Sequence, residues 1–439
     1  MENREKDELE LEKREYRHKR RVRNQILSYF VLVLLIAALV LGTVFGIKEY
    51  GKRKKESGEE ALQTKVEDLL ESEEPLKVEE SSEEPVPELT PEEKLDQIIE
   101  AAIEVMPMED KVAGLFVVRP ESITGVSTAI QASDGTREAL EKFAVGGIIY
   151  FSKNIQSEQQ LKDMITNTRS FSKYPLFIAV DEEGGSVSRI ADKGLASPVD
   201  SAYKIGQTQD AANAYQAGST IGGYLSGFGF DLNFAPVADL ANVDNSVMAE
   251  RAYGAEASVI LPYVTSMMAG LEEQQVTACV KHFPGLGSTT ADTHEGLAVS
   301  NRTAEQFRSE EFMVFQAAID AGAEMIMVGH MAAPSLVGDN TPSSMSSVIV
   351  TDILREELGF DGVIITDGME MAAISDYYSA EDAAIMALKA GCDMILLPDD
   401  FVAAYEGVLQ AVGDGVISEE RINDSLKRIY RIKFADQME

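Results

Sequence analysis

The sequence predicts an α/β chain whose folded part is a (β/α)8 TIM-like barrel. Beyond about residue 91, eight short apolar runs alternate with stretches of helical periodicity, the rhythm of strands joined by crossover helices. Most of these runs are hydrophobic almost without interruption, as strands buried on both faces of a parallel sheet must be. An open doubly wound sheet is the alternative, but no G-x-G-x-x-G follows any early run.

Taken in order, the predicted strands are 113–118, 147–151, 176–180, 230–235, 276–280, 325–328, 362–365 and 394–397. Helical patterns at 157–170, 211–226, 258–273, 304–321 and 380–389 supply crossovers, and 418–434 reads as a closing amphipathic helix. No internal repeat is visible.

The segments ahead of the barrel read differently. Residues 1–25 form a basic tail, predicted to be cytoplasmic. Residues 26–47 carry no charge, and as a helix they span roughly 33 Å, enough for a bilayer core. Basic residues from Lys13 to Arg23 precede that run, and Lys48 and 52–55 follow it. The upstream excess predicts a retained, single-pass signal-anchor in the cell membrane, with everything later outside the cell. A cleaved signal peptide is the other reading, but the charged leader is long, the run exceeds an ordinary h-region and no A-x-A site follows. Residues 48–90 are predicted to be a disordered acidic linker. Their core is Glu-, Ser- and Pro-rich without aromatics, too poor in apolar area to fold. The barrel is assigned to 91–439.

Composition narrows the function classes. The formal net charge of −35 argues against nucleic acid, whose phosphates demand excess Lys and Arg. The two cysteines, Cys279 and Cys392, lie in or beside apolar segments and read as buried free thiols. No Cys spacing suits a metal, and no metal or cofactor is expected.

The residues just past the strands carry the chemistry. The third ends in Asp181-Glu182-Glu183-Gly184-Gly185, with Arg189 nearby; the fourth carries Asn233 and leads to Pro236, Asp239 and Arg251. The fifth ends in Lys281-His282, followed by a loop with Asp292-Thr293-His294; the sixth leads to His330, the seventh to Asp367. In a barrel these positions share one rim, the face where such enzymes do chemistry. Each has a plainer reading, since strand-end charges often cap helices or solvate loops. Asp399 and Asp400, past the eighth strand, are read that way, and Met369 and Met371 as packing.

These motifs resemble those of glycoside hydrolase family 3, in its β-N-acetylglucosaminidase (β-N-acetylhexosaminidase) subgroup. Residues 281–294 resemble the signature K-H-F-P-G-x-G-x4-D-[ST]-H. The likeness extends to 181–189, to 233–239, to Glu250-Arg251-Ala252-Tyr253-Gly254 and to 364–371. It covers essentially all of 91–439 and implies a single barrel without the second sandwich domain of many relatives. It also implies roles: Asp367 as nucleophile, His294 as general acid/base on a mobile loop, and Asp292 as its partner. Asp181, Arg189, Arg251, Lys281 and His282 would hold the N-acetylhexosamine at the non-reducing end. Leu286, Thr293 and Ser186 depart from the usual residues of the family without removing a catalytic group.

The implied activity is a retaining exo-glycosidase that releases terminal β-linked N-acetylglucosamine, from peptidoglycan fragments outside the cell. Retention needs an ionised carboxylate and a proton donor. Lys281 and the two arginines are expected to keep Asp367 charged. An imidazole, titrating near 6.5 when unperturbed, can donate in one step and accept in the next. Gly285, Gly287 and Gly296 are expected to let the loop swing. Rival readings are a phosphate-using phosphorylase, a metal-dependent barrel hydrolase with His282, His294, His330 and Asp367 as ligands, and a wall-binding module without catalysis.

Overall fold

The computed structural model describes residues 90–434. The expectations for the basic tail, the membrane span and nearly all of the acidic linker lie outside these residues. Among the described residues no helix is long and apolar enough to cross a membrane.

Every predicted apolar run overlaps a strand: β1 (Phe116–Val118), β2 (Gly147–Ile149), β3 (Phe177–Val180), β4 (Leu232–Asn233), β5 (Thr277–Phe283), β6 (Met325–Val328), β7 (Val363–Thr366) and β8 (Ile395–Leu396), with β5 and β7 running past their predicted ends. All pairings are parallel, in the order β7-β6-β5-β4-β3-β2-β1-β8. A single parallel bridge, Ile365 to Met394, brings the two edges together. The Leu396 amide donates to Thr366 Oγ1 (3.0 Å), reinforcing that seam. The result is a nearly closed (β/α)8 barrel, which removes the exposed strand edges an open sheet would leave.

Several boundaries differ from expectation. β1 starts at Phe116, because Met108–Ala113 forms a short helix ahead of it. The pattern at 304–321 is two helices, Ala304–Ser309 and Glu311–Asp320, broken at Glu310. Glu311 is buried there by Asn242 (2.9 Å) and Arg302 (3.2 Å), which fix the second helix independently of the first. Residues Val348–Glu357 form a π-helix that the sequence pattern did not reveal.

The crossover helices start where the chain supplies caps. Ser157 and Gln160, and Thr303 and Gln306, make reciprocal capping boxes that satisfy orphan amides of the first turn. Asp400 caps Phe401–Gly413 by accepting from Ala403 N (3.0 Å), the role expected of a solvated strand-end acid. Helices Ala212–Phe228 and Ala257–Glu272 pack backbone to backbone through Gly218 and Gly270. A Cβ on either would sit 2.3 Å from a carbonyl oxygen of the other helix.

The closing helix, Glu419–Phe434, crosses the N-terminal ends of the strands. Its basic residues reach acids there: Lys433 pairs with Asp231, Arg431 with Asp96 (2.6 Å), and Arg421 and Arg428 with the buried Asp393 (3.4 and 3.3 Å). Asp393 also accepts from Arg355 (2.7 Å), Ser425 (2.8 Å) and the Ile364 amide (2.9 Å). One carboxylate thus ties β7, the π-helix and the closing helix together. Removing one partner from a buried ion pair usually costs about 3–5 kcal/mol. Asp393→Ala is therefore expected to lose about that much stability in urea denaturation; a loss under about 1 kcal/mol, the worth of a surface pair, would contradict this account.

Candidate active site

At the opposite, C-terminal rim, β5 carries Lys281 and His282 in succession. Regular strand alternation would send neighbours to opposite faces, but the register with β6 shifts between Val280 and Phe283. That bulge accompanies two side chains that both engage rim residues. Lys281, 3% exposed, places Nζ 2.7 Å from Asp181 Oδ1 and 2.7 Å from Glu183 Oε1. Burial alone would lower the lysine pKa, but the two carboxylates outweigh it and raise it. Glu183 receives Arg251 through two bonds, Nη2 to Oε1 (2.6 Å) and Nε to Oε2 (2.9 Å). Burial would raise the Glu183 pKa, yet Lys281 and Arg251 hold it well below the usual carboxylate range. Ser186 lines a small cavity beside Glu183 and Arg251.

His282 is oriented from behind. Its Nδ1 lies 2.7 Å from Oδ2 of the fully buried Asp239, which also accepts the His282 and Gly287 amides (3.3 Å each). The ring thus presents Nδ1 to Asp239 and leaves Nε2 for other partners.

Asp367 follows β7 directly. Its amide continues the ladder to Val328 O (2.9 Å), and its Oδ1 accepts the Gly368 amide (2.7 Å). Burial would raise its pKa, but His282, His330, the Gly368 N–H and Lys281 together lower it. Of the expected cations Lys281 is among the leading causes and the two arginines are not; Arg251 is engaged by Glu183. His330 is buried between Ser344 Oγ (2.8 Å from Nδ1) and Gly368 O (3.0 Å from Nε2). A carbonyl accepts only, so Nε2 carries the proton. Burial lowers the His330 pKa, and the ring clamps the segment after Asp367.

Asp292 and His294 face each other, although two positions apart in a loop they need not. Asp292 Oδ1 takes both the His294 amide (2.9 Å) and Nδ1 (2.8 Å). Burial would raise the Asp292 pKa; those bonds, with a contribution from Arg251, lower it. The imidazole is 68% exposed at the open rim, with Nε2 free of protein partners among the described residues. Of the three glycines expected to act as hinges, Gly285 and Gly287 are packing positions. A Cβ there would meet Glu311 Cγ at 2.6 Å and Leu240 O at 2.2 Å. Only Gly296, at φ +153° and in open space, has the freedom of a hinge.

Arg189 stands apart. Its amide and those of Ile190 and Ala191 bond to the buried Glu182 carboxylate, which fixes the loop after β3. Its guanidinium lies over Phe151 (5.9 Å), with Nε buried and without a partner among the described residues. Asn233 clamps Glu182 through its backbone N and O (2.9 Å each). The sequence had flagged Asp181, Lys281, His282 and Asp367 individually. Of the supporting partners, Asp239 is named there as a strand-end residue without a role, Glu183 stands only within a quoted motif, and Ser344 gives no signal. Among the described residues no cluster of His, Cys, Asp or Glu is arranged to hold a metal ion, and both cysteines are free and buried.

Residues 92–432 match the glycosyl hydrolase family 3 N terminal domain. The chain belongs to this family. It is 36% identical over 268 residues to a beta-hexosaminidase of Nitrosomonas eutropha, covering 60% of this chain and 76% of that protein. With a beta-hexosaminidase of Stenotrophomonas maltophilia it shares 30% identity over 315 residues, 67% of this chain and 93% of that one. Among solved structures it is similar to a family 3 beta-N-acetylglucosaminidase from Paenibacillus sp. str. FPU-7, with a TM-score of 0.72 and 33% identity. The match covers 76% of this chain but 63% of that enzyme's length. The protein is a glycoside hydrolase of family 3.

The buried Lys281–Glu183–Arg251 array makes stability depend on pH. The Glu183 pKa is depressed below its ordinary 4.5, so its stabilisation is complete above that value and lost as pH falls. Glu183→Gln is expected to cost about 3–5 kcal/mol at pH 7. In urea denaturation the deficit should narrow below pH 4.5, where the unfolded wild-type carboxylate takes up a proton. A deficit constant down to about pH 3 would contradict the assignment.

Proposed function

We propose that the protein is a retaining β-N-acetylhexosaminidase that removes terminal, non-reducing β-linked N-acetylglucosamine, with peptidoglycan fragments as its substrates. The observation that carries this reading is a division of labour on one rim. An ionised carboxylate, Asp367, is held by fixed neighbours at a strand end, and an Asp292–His294 pair stands on the loop of another strand. The beta-hexosaminidase names of the relatives agree with the sugar.

In the proposed mechanism Asp367 attacks the anomeric carbon, forming a glycosyl ester. The His294 imidazolium gives its Nε2 proton to the departing oxygen, while Asp292 stabilises the cation through Nδ1. In the second step neutral Nε2 takes a proton from water, whose oxygen attacks the anomeric carbon and releases Asp367. Asp181, Arg189, Arg251, Lys281 and His282 are assigned to holding the sugar. Asp181 supports this: one oxygen is engaged by Lys281, and the other has no partner among the described residues. Nε2 of His282 and the Arg189 guanidinium are also available.

The protein is further proposed to sit in the cell membrane through 26–47, with catalysis outside, supported by the uncharged run and its basic upstream flank. Protease added to intact cells should then remove the barrel and leave a membrane-bound stub. Protection of the barrel until the cells are lysed would contradict this topology.

Asp367→Ala should abolish turnover of aryl N-acetylglucosaminides. His294→Ala should slow substrates with poor leaving groups by about 10²–10⁴-fold and spare activated ones, which need little proton help. A loss of equal size for every leaving group would overturn the acid/base role.

A further inference from the structure

The loop bearing Asp292 and His294 touches the rest of the protein at one buried point. Across residues 290–297 every side chain is exposed or partly exposed except Thr293, at 1%. The Thr293 carbonyl accepts the Ala373 amide (3.1 Å). Ala373 lies in the first turn of the short helix Ala372–Ser375, where amides have no intrahelical acceptor, so an outside carbonyl is the natural partner. That helix belongs to the segment following Asp367. Asp367 Oδ1 holds the Gly368 amide, and Gly368 O accepts from both His330 Nε2 and the Met371 amide (3.1 Å). The Asp367 carboxylate is therefore linked, through the bonds at Gly368 and Met371 and the two peptides from Met371 to Ala373, to the residue between Asp292 and His294.

We infer that Thr293 is a positioning residue, a single latch that docks the acid/base loop onto the segment carrying Asp367 and so sets the distance between the two groups. The latch is built to release. The Thr293 hydroxyl is buried without a hydrogen-bond partner among the described residues, which disfavours the docked pose relative to one that water can reach. Three residues later Gly296 supplies a hinge in open space, while Thr289 and Ala298 at the loop ends stay buried and fixed. Two local features thus oppose each other: the carbonyl bond and the buried methyl favour docking, and the orphan hydroxyl favours opening.

The inference rests on the proposed acid/base role of His294, and the test separates the two. Hydrogen–deuterium exchange on the full chain reads the latch through the Ala373 amide. Thr293→Ser, which removes the methyl and keeps the orphan hydroxyl, should speed that exchange; Thr293→Val, which removes the orphan hydroxyl and keeps the shape, should slow it. In parallel, kcat on a poor leaving group should fall about tenfold in Thr293→Ser, in the direction of a misplaced catalytic group, with activated aryl glycosides little changed. Unchanged Ala373 exchange in both variants would overturn the latch. Faster exchange with equal rate losses on both leaving groups would overturn the positioning role. If His294→Ala itself showed no leaving-group dependence, the acid/base assignment would fall, and the exchange data alone would decide the latch.

Discussion

A cation with almost no access to water, Lys281, sits at the mouth of the barrel, and much of the rim is arranged around it. A buried ammonium is tolerable only when paired, so β3 must deliver two carboxylates, Asp181 and Glu183. Two acids against one lysine leave a negative excess, which Arg251 balances through its fork on Glu183. The remaining charge pattern is what Asp367 experiences. Lys281, the imidazoles of His282 and His330 and the Gly368 amide keep its carboxylate ionised in a site where burial alone would favour the neutral acid. Charge on Asp367 is therefore a property of the whole rim.

The two proposed catalytic groups are held in different ways. Asp367 grows out of the β-ladder and inherits its rigidity, with His330 clamping the next peptide. His294 is exposed, on a loop with one buried attachment and one unhindered glycine. Fixed nucleophile and movable proton donor are compatible demands. The carboxylate must meet a carbon in one geometry, whereas the imidazole must serve a leaving oxygen first and a water later.

The barrel was legible in the sequence because its strands are buried on both faces and read as near-continuous apolar runs. All eight fell within a few residues of their expected positions. The boundaries that moved did so for tertiary reasons: Glu311 is fixed by Asn242 and Arg302, and the π-helix 348–357 has apolar spacing that an ordinary helix would share. At the site, residue types at strand ends were legible, and partnerships were not. Asp239 orients His282 from 43 positions away, and Ser344 meets His330 from the short 3-10 helix Ser343–Met345, in a serine-rich stretch that points to no particular partner. Gly287 looked like a hinge because flexibility and close approach leave the same letter in a sequence. Only the neighbouring Leu240 carbonyl distinguishes them. Thr293, a lone threonine between Asp292 and His294, gave no hint of being the loop's anchor.

The central claim is that the rim's cations keep Asp367 charged so that it, and no other group, bonds to the sugar. The most direct measurement is peptide mapping by mass spectrometry after reaction with a ring-fluorinated N-acetylhexosaminide bearing an activated leaving group. Such a substrate slows release of the enzyme-bound sugar. The account predicts one added glycosyl residue, on the peptide containing Asp367, formed at a rate that falls when Lys281 or His282 is replaced. Burst release of the leaving group with the adduct on a different side chain, or steady turnover by a fully active Asp367→Ala variant, would contradict it.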